Sequence, residues 1–373
     1  MGDTTARRVV LVLGTSAGGV GRHVLMLAGG LVRQGHQVVV AGPASTDEAF
    51  GFSGAARFAE VAVSDRPRPV SDLRAVRRLR ALTAGADIVH AHGLRAGALA
   101  ALALTGRRAG RAALVVTLHN ALTAGGVIGA IYGLLEWIVG KKADQVLVVA
   151  PDLGERMLAR GARSVAPAVV PAPPLRPPAR TPAEVRAELA PGRTGRAIFL
   201  TIARLAQQKG LETLLDAVRG PYDDWETVPL FVVAGEGPLR GELQRRIDGE
   251  GLPVRLLGNR DDMADLLQVV HALVVPSRWE GQPLSVHEAL RAGRPVVATA
   301  VGGIPAMVGD AALLVPPGDA AALRAEITRV LLDPALAARL SAAALALPLP
   351  DEEAALRSAG EAYAALRGGG APR

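Results

Sequence analysis

Two cations, Arg204 and Lys209, stand five residues apart in the segment Ala203-Arg204-Leu205-Ala206-Gln207-Gln208-Lys209-Gly210. Fixed positive charges in a loop that opens a helix suit an anion such as a leaving diphosphate. No Asp-x-Asp pair stands by to hold a divalent metal in their place. Lys209 is one of only three lysines, the others being Lys141 and Lys142. A second run, from Pro276 to Leu290, carries Glu280 and Glu288 with seven residues between them. Gly281 and Pro283 interrupt the chain before a new helix, so Glu280 falls in a loop and Glu288 on the helix above it. Near the start, Gly18-Gly19-Val20-Gly21 leads into a helix, where backbone N–H groups and the positive end of the helix dipole face an anion. A tight strand-to-helix turn would use the same glycines. The cluster is neither a dinucleotide G-x-G-x-x-G, since Val24 takes the third glycine's place, nor a Walker loop, since no Lys-Ser/Thr follows. His119 follows a candidate strand, either to contact a ligand or to cap the strand end.

These residues need a scaffold, and the chain alternates short Val/Leu/Ile/Ala runs with segments of helical period, the pattern of parallel sheets covered on both faces. Candidate strands in the first half are residues 9–13, 37–41, 61–63, 87–90, 113–117 and 145–149. Candidate helices are 20–34, 71–83, 94–104, 127–142 and 153–160. Seven prolines between Pro167 and Pro182 suit neither a helix nor a central strand. The alternation restarts with strands at 197–202, 230–234, 254–257, 272–275, 296–298 and 312–315, and terminal helices at 320–332 and 351–367 close the second half. The expected organisation is an α/β chain of two doubly wound, Rossmann-like domains. Residues 1–170 form the first, a Pro-rich linker spans 171–183, the second covers 184–350, a C-terminal helix follows at 351–367, and a tail ends the chain at 368–373. Ligands of such sheets bind beyond the carboxyl ends of the strands. There the sequence loads Gly14 to Gly21, His90 with His92, His119 with Asn120, Arg204 to Lys209, Gly235-Glu236-Gly237 and Ser277 to Glu280.

At 373 residues the chain is long for one core, and 50% hydrophobic against 21% charged residues is a globular balance. With no cysteine, disulfides, thiolate metal sites and cysteine nucleophiles drop out, and a reducing cytoplasm fits. Seven histidines without an H-E-x-x-H arrangement give a zinc hydrolase nothing to stand on. The net charge of +7 comes from arginine usage, and 3% aromatics supply no stacking platform, so nucleic acid is not an expected partner. No apolar run has the length of a membrane span, and the opening run reads as a buried strand rather than a signal peptide. The segment from Ser71 to Leu82 sets Leu73, Val76 and Leu79 on one face and Arg74, Arg77 and Arg78 on another. Such a helix suits either peripheral contact with an anionic membrane or an ordinary outer position with a solvated arginine face.

Taken together, several segments resemble the retaining nucleotide-sugar glycosyltransferases of the GT-B fold, family-4 group. They are Gly18 to Val24 with Gly35-His36-Gln37-Val38, Asp87-Ile88-Val89-His90-Ala91-His92, Thr117-Leu118-His119, Ala203-Arg204 with Lys209-Gly210, Gly235-Glu236-Gly237, and Glu280 to Glu288. The resemblance spans most of the chain. The family's Ile-Pro-Asn-Gly-like turn is replaced here by Val169-Val170-Pro171-Ala172-Pro173-Pro174, so hinge geometry does not carry over.

The resemblance implies two domains facing across a cleft and transfer of a sugar from a nucleotide donor with retention of configuration. Arg204 and Lys209 would bind the diphosphate, and Glu288 the ribose. Glu280 with the backbone of Gly281, Gln282, Pro283 and Leu284 would hold the donor sugar. His119 would reach the sugar or diphosphate, and Gly18 and Gly19 would approach the phosphates. With both glutamates committed to hydroxyl groups, a front-face substitution follows, the departing phosphate helping to accept the acceptor's proton. No metal or other cofactor is expected, and a lipid-linked acceptor fits. A sugar-nucleotide epimerase of the same fold and a non-catalytic sugar-nucleotide binder are the alternatives; a dehydrogenase fails on its glycine spacing.

Overall fold

The computed structural model describes residues 6–16, 18–64, 66–106, 111–121, 126–193, 195–223 and 225–366. The expected tail at 368–373 and the last residue of the expected helix 351–367 lie outside them. The chain divides into two compact units, one of residues 1–171 with 350–373 and one of residues 172–349.

The first unit runs β1 (Arg8–Leu13), α1 (Gly19–Arg33), β2 (Gln37–Gly42), α2 (Ala44–Phe50), β3 (Arg57–Glu60), α3 (Pro69–Leu82), β4 (Ile88–His92), α4 (Leu94–Leu104), β5 (Ala113–Leu118), α5 (Gly126–Lys142), β6 (Gln145–Val148), α6 (Pro151–Ala159) and β7 (Val165–Pro167). Its sheet is parallel in the order β3-β2-β1-β4-β5-β6-β7. The central strand β1 is fully buried from Val9 to Leu13, hence its unbroken apolar run. Because the strand order reverses between β1 and β4, right-handed crossovers place α1 and α2 on one face and α3 to α6 on the other.

The third expected strand is displaced. It lies at Arg57–Glu60, an edge strand whose one buried residue is Ala59, and not at 61–63. Val61 and Val63 are buried in the connection that follows, where Val63 accepts a hydrogen bond from the Thr15 N–H at 3.1 Å. Their apolar character reports burial rather than pairing. Strand β7 takes in Pro167, the first of the seven prolines, which a sheet edge tolerates because no further ladder bond is needed there. Helix α3 buries Ala75 and Leu79 against the unit and leaves Leu73 exposed beside Arg74, Arg77 and Arg78. Of the expected apolar stripe only Leu79 is buried and Val76 is half-buried, while Leu73 shares the outer face with the arginines.

The second unit runs α7 (Pro182–Leu189), β8 (Ile198–Ile202), α8 (Leu211–Ala217), β9 (Leu230–Ala234), α9 (Arg240–Glu250), β10 (Val254–Gly258), α10 (Met263–Val269), β11 (Ala272–Val275), α11 (Leu284–Arg291), β12 (Val296–Thr299), α12 (Ile304–Val308), β13 (Ala312–Val315), α13 (Ala320–Leu332) and α14 (Pro334–Ala346). Its parallel sheet has the order β10-β9-β8-β11-β12-β13. Alternate strand residues feed two cores, Ile198, Leu200, Leu273 and Val275 on one side and Phe199, Ala272 and Val274 on the other.

Much of the proline-rich stretch is fastened to this unit rather than free. The Arg180 guanidinium pairs with Glu188 at 2.6 Å, Asp265 at 3.1 Å and Asp262. Pro182 is the first residue of α7, where a missing N–H costs nothing, and Thr181 and Glu184 close a capping box over it. Thr181→Ala should lower the stability of this unit by about 1 kcal/mol, read as a lower urea midpoint with an unchanged slope.

The last helix, α15 (Glu352–Ala365), belongs to the first unit and does not close the second. It packs on α1, where Gly30 leaves room for Leu356: a Cβ there would stand 2.5 Å from the leucine methyls. Arg33 on α1 pairs with Glu352, and Tyr363 is buried against β4. An amphipathic pattern announces a buried face but not what covers it.

Candidate active site

In the second unit the strand order reverses between β8 and β11, so the loops after these strands flank the switch point where open α/β sheets bind ligands. The loop after β8 carries Arg204 and Lys209, and the loop after β11 carries Ser277 to Gly281. They meet: Lys209 Nζ lies 2.7 and 2.9 Å from the two carboxylate oxygens of Glu280, and Ser277 Oγ donates to Glu280 Oε1 at 2.6 Å. Glu280 is 7% exposed. A buried carboxylate is tolerable only when paired and hydrogen-bonded, and this one is both.

Backbone contacts lock the two loops together. The Arg278 N–H donates to the Gln208 carbonyl at 2.8 Å, and Gln208 Nε2 donates to the Trp279 carbonyl at 3.0 Å. Gly210 takes a left-handed φ of 59°, and a Cβ on it would stand 2.1 Å from the Pro276 carbonyl oxygen. Gly302, after β12, has φ of 53°, and its Cβ would stand 1.8 Å from the Glu280 carbonyl oxygen, which also accepts the Gly303 N–H at 3.1 Å. Only glycine meets both demands. The loop after β9 joins through the Leu205 N–H, which donates to the Glu236 carbonyl at 3.0 Å.

The other expected residues of this unit fall around the pair. Arg204 is exposed, and its guanidinium bonds to no side chain or carbonyl among the described residues. Gly281 is buried, while Gln282, Pro283 and Leu284 are half-buried at the entry to α11, where the Val286 and His287 N–H groups donate to the Pro283 carbonyl at 3.1 and 3.3 Å and the N–H groups of Leu284 and Ser285 lie ahead of the helix ladder. Glu288 is buried on that helix. The chemical capacity is an ammonium held by a carboxylate, a free guanidinium in the same loop and a helix N-terminus, a suitable cradle for a diphosphate and the hydroxyl groups beside it. Ser277 and Gly302 have no assigned part in the sequence reading. The signal for Gly302 was the Gly302-Gly303 pair three residues beyond a strand end.

In the first unit, Gly18 caps α1 and Gly19 opens it. A Cβ on Gly18 would meet nothing within 4 Å, so the fold itself leaves space over it. His119 follows β5 directly, as expected, but it does not stand alone. His90 and His92 lie inside β4 rather than after it, two residues apart and therefore on one face. His92 Nδ1 is 3.2 Å from His119 Nε2, and the His23 ring of α1 stands 5.5 Å from both rings. His90 bonds Tyr363 and Thr117, each at 2.7 Å. Burial holds the imidazoles neutral. His119 is lowered to about 4, and His90 to about 3 with a further push from the His119 charge. His23 and His92 lie well below the ordinary value, from burial first and neighbouring histidines second. Among the described residues no group of three or more His, Cys, Asp or Glu side chains is placed to hold a metal ion.

Comparisons with known proteins point the same way. The model of the family Glycosyl transferases group 1 matches residues 196–333, and that of the Glycosyl transferase 4-like domain matches residues 18–173. The chain is 29% identical over 181 residues to alpha-D-kanosaminyltransferase of Streptomyces kanamyceticus, covering 47% of this chain and 46% of that protein. It is 29% identical over 350 residues to phosphatidyl-myo-inositol mannosyltransferase of Mycobacterium leprae, 87% of each. Among solved structures, sucrose-phosphate synthase of Thermosynechococcus elongatus is 23% identical, covers 97% of this chain and 100% of its own, and superposes with a TM-score of 0.79. The chain spans less than half the length of the first curated relatives it matches, 46%, 36% and 32%.

Proposed function

Because the chain belongs to the group 1 glycosyl transferases, with the GT-B fold and of family-4 type, we propose that it transfers a sugar from a nucleotide-diphosphate sugar to an acceptor, with retention of configuration and without a metal ion. The observation that carries this reading is the Lys209–Glu280 pair at the switch point of the second unit, with Arg204 exposed in the same loop and its guanidinium without a partner among the described residues. Arg204 and Lys209 take the diphosphate and neutralise the charge that grows on it as the glycosidic bond breaks. Glu280 and the backbone of Gly281 to Leu284 take the sugar hydroxyls, and Glu288 the ribose. In the first unit, Gly18 and Gly19 offer an open backbone edge to phosphate, and His119 a neutral imidazole able to donate or accept one hydrogen bond. The acceptor's proton leaves on the departing phosphate, in a front-face substitution. Of the relatives named above, the mannosyltransferase carries a phosphatidyl-myo-inositol lipid in its name, and a lipid-linked acceptor is the reading taken for this chain.

A thermal-shift panel of UDP, GDP and ADP sugars tests the donor assignment. One nucleotide sugar at a hundredfold excess over its Kd should stabilise the protein by about 2.7 kcal/mol. The same donor should be hydrolysed slowly in the absence of acceptor. If no member of the panel shifts the melt and none is hydrolysed, the transferase reading is wrong.

A further inference from the structure

Helix α5 turns the usual polarity of an outer helix inside out. Its exposed side chains include Ile128, Ile131, Leu134 and Trp137, of which Ile128, Leu134 and Trp137 are 56%, 57% and 50% exposed. Steps of three residues keep these four within half the helix circumference. The only acid of the helix, Glu136, is buried on the opposite side and is held there by Arg156 at 2.6 Å and Arg160 at 3.4 Å. The outer face ends on Lys141 and Lys142, both exposed, which are two of the three lysines in the whole chain. On the same face of the sheet, across α4, which touches both helices, α3 exposes Arg74, Arg77 and Arg78. Water is a poor solvent for such a stripe, and a contiguous exposed apolar patch marks an interaction surface.

We propose that α5 lies on an anionic membrane surface, with Ile131, Leu134 and Trp137 sunk at the headgroup–acyl boundary and Lys141 and Lys142 against acidic headgroups. Charge selects this occupant. The face of α5 carries no exposed acid and ends on two lysines, and α3 and α6 expose arginines, with Asp152 and Glu155 the exposed acids on α6, a balance that fits an acidic lipid surface; a second copy of the chain would bring the same lysines against each other. Tryptophan at one edge of the face and lysine at the helix end match the anchors of interfacial helices. At 17 residues with two lysines the helix lies on the bilayer, and no helix among the described residues is long and apolar enough to cross it. The helix begins at the end of the connection from β5, close in sequence to His119. The docking stands apart from the transferase reading. Only its consequence, an acceptor met at the lipid surface, rests on that reading.

Vesicle flotation of the full chain tests the proposal, with phosphatidylcholine vesicles and with vesicles that also contain phosphatidylglycerol. The protein should float with the second and not the first, and release as salt rises. Trp225 and Trp279 are buried, so a blue shift of tryptophan emission on vesicle binding reports Trp137. Leu134→Glu should weaken partitioning about tenfold or more. Replacing Lys141 and Lys142 by serine should weaken it about thirtyfold and make its salt dependence shallower. The variant side chains are exposed, so unfolding temperature and donor binding should not move. The idea fails if anionic vesicles leave the protein at the bottom of the gradient, if both variants float like the parent, or if the parent sediments as a dimer that Leu134→Glu splits. Vesicle binding without any donor binding would overturn the transferase reading and leave the docking intact.

Discussion

Arg204→Ala should lower kcat for sugar transfer by about two to three orders of magnitude and leave the unfolding temperature unchanged. The second half of that expectation makes the first interpretable. Arg204 is exposed and bonds to no described side chain, so its removal strands no partner. Whatever activity is lost then belongs to the charge it offers the ligand. Lys209→Ala should cut turnover as deeply but for a mixed reason. The Glu280 carboxylate, 7% exposed, would keep only the Ser277 hydroxyl. A buried charge left without its counter-ion costs about 3 kcal/mol or more, so the second unit should melt earlier as well. If the charge acts on the departing diphosphate, kcat should fall in Arg204→Ala far more than donor Kd rises, because the interaction grows as the bond breaks. Initial rates at saturating donor, with a melt of the same preparation, separate the cases. A variant that keeps its kcat removes Arg204 from the chemistry.

The loops bearing these residues were legible because their signals are local: an apolar run, then glycine or charge, then helical period. The Lys209–Glu280 contact was not, because it depends on β8 lying next to β11, and neighbours in the sheet are not neighbours in the chain. Short edge strands were illegible for a related reason. Strand β3, with Arg57 and Glu60 at its ends, shows no apolar run, while the segment from Val61 to Val63 beyond it does, with both valines buried. Helix α15 could be drawn from its pattern but not assigned to α1, since the complement of Leu356 is the missing side chain of Gly30. The histidine cluster offered one readable clue. His90 and His92 stand at the period of a strand, which sets both rings on one face. Their convergence with His23, His119 and Tyr363 needed the fold.

That cluster should make the first unit sensitive to mild acid. Four buried imidazoles from α1, β4 and the end of β5 face one another and Tyr363 of α15, whose hydroxyl burial keeps protonated. In the unfolded chain each histidine takes up a proton near pH 6.5, whereas in the fold His119 waits until about 4 and His90 until about 3. Between these limits the unfolded state binds more protons than the folded one. Stability is therefore complete above pH 6.5 and falls as pH drops towards 4. At about 1.4 kcal/mol per pH unit and per histidine, four coupled sites make a slope of several kcal/mol per unit the upper bound. Urea unfolding between pH 7 and 5 isolates the histidines, because carboxylates titrate lower, and His36 of the same unit, lowered by burial and then by Arg7, contributes with the same sign. The buried His287 of the second unit, also lowered to about 4, adds a smaller term of the same sign. His23→Leu supplies the control. The His23 Nδ1 is buried without a hydrogen-bond partner, so replacing the ring with an apolar side chain forfeits no bond there at neutral pH. The variant should hold its stability at pH 7 and show a shallower loss towards pH 5. Equal stability of the parent at pH 7 and 5 would mean that the imidazoles are not kept neutral by burial. A His23→Leu slope as steep as the parent's would place the proton uptake elsewhere.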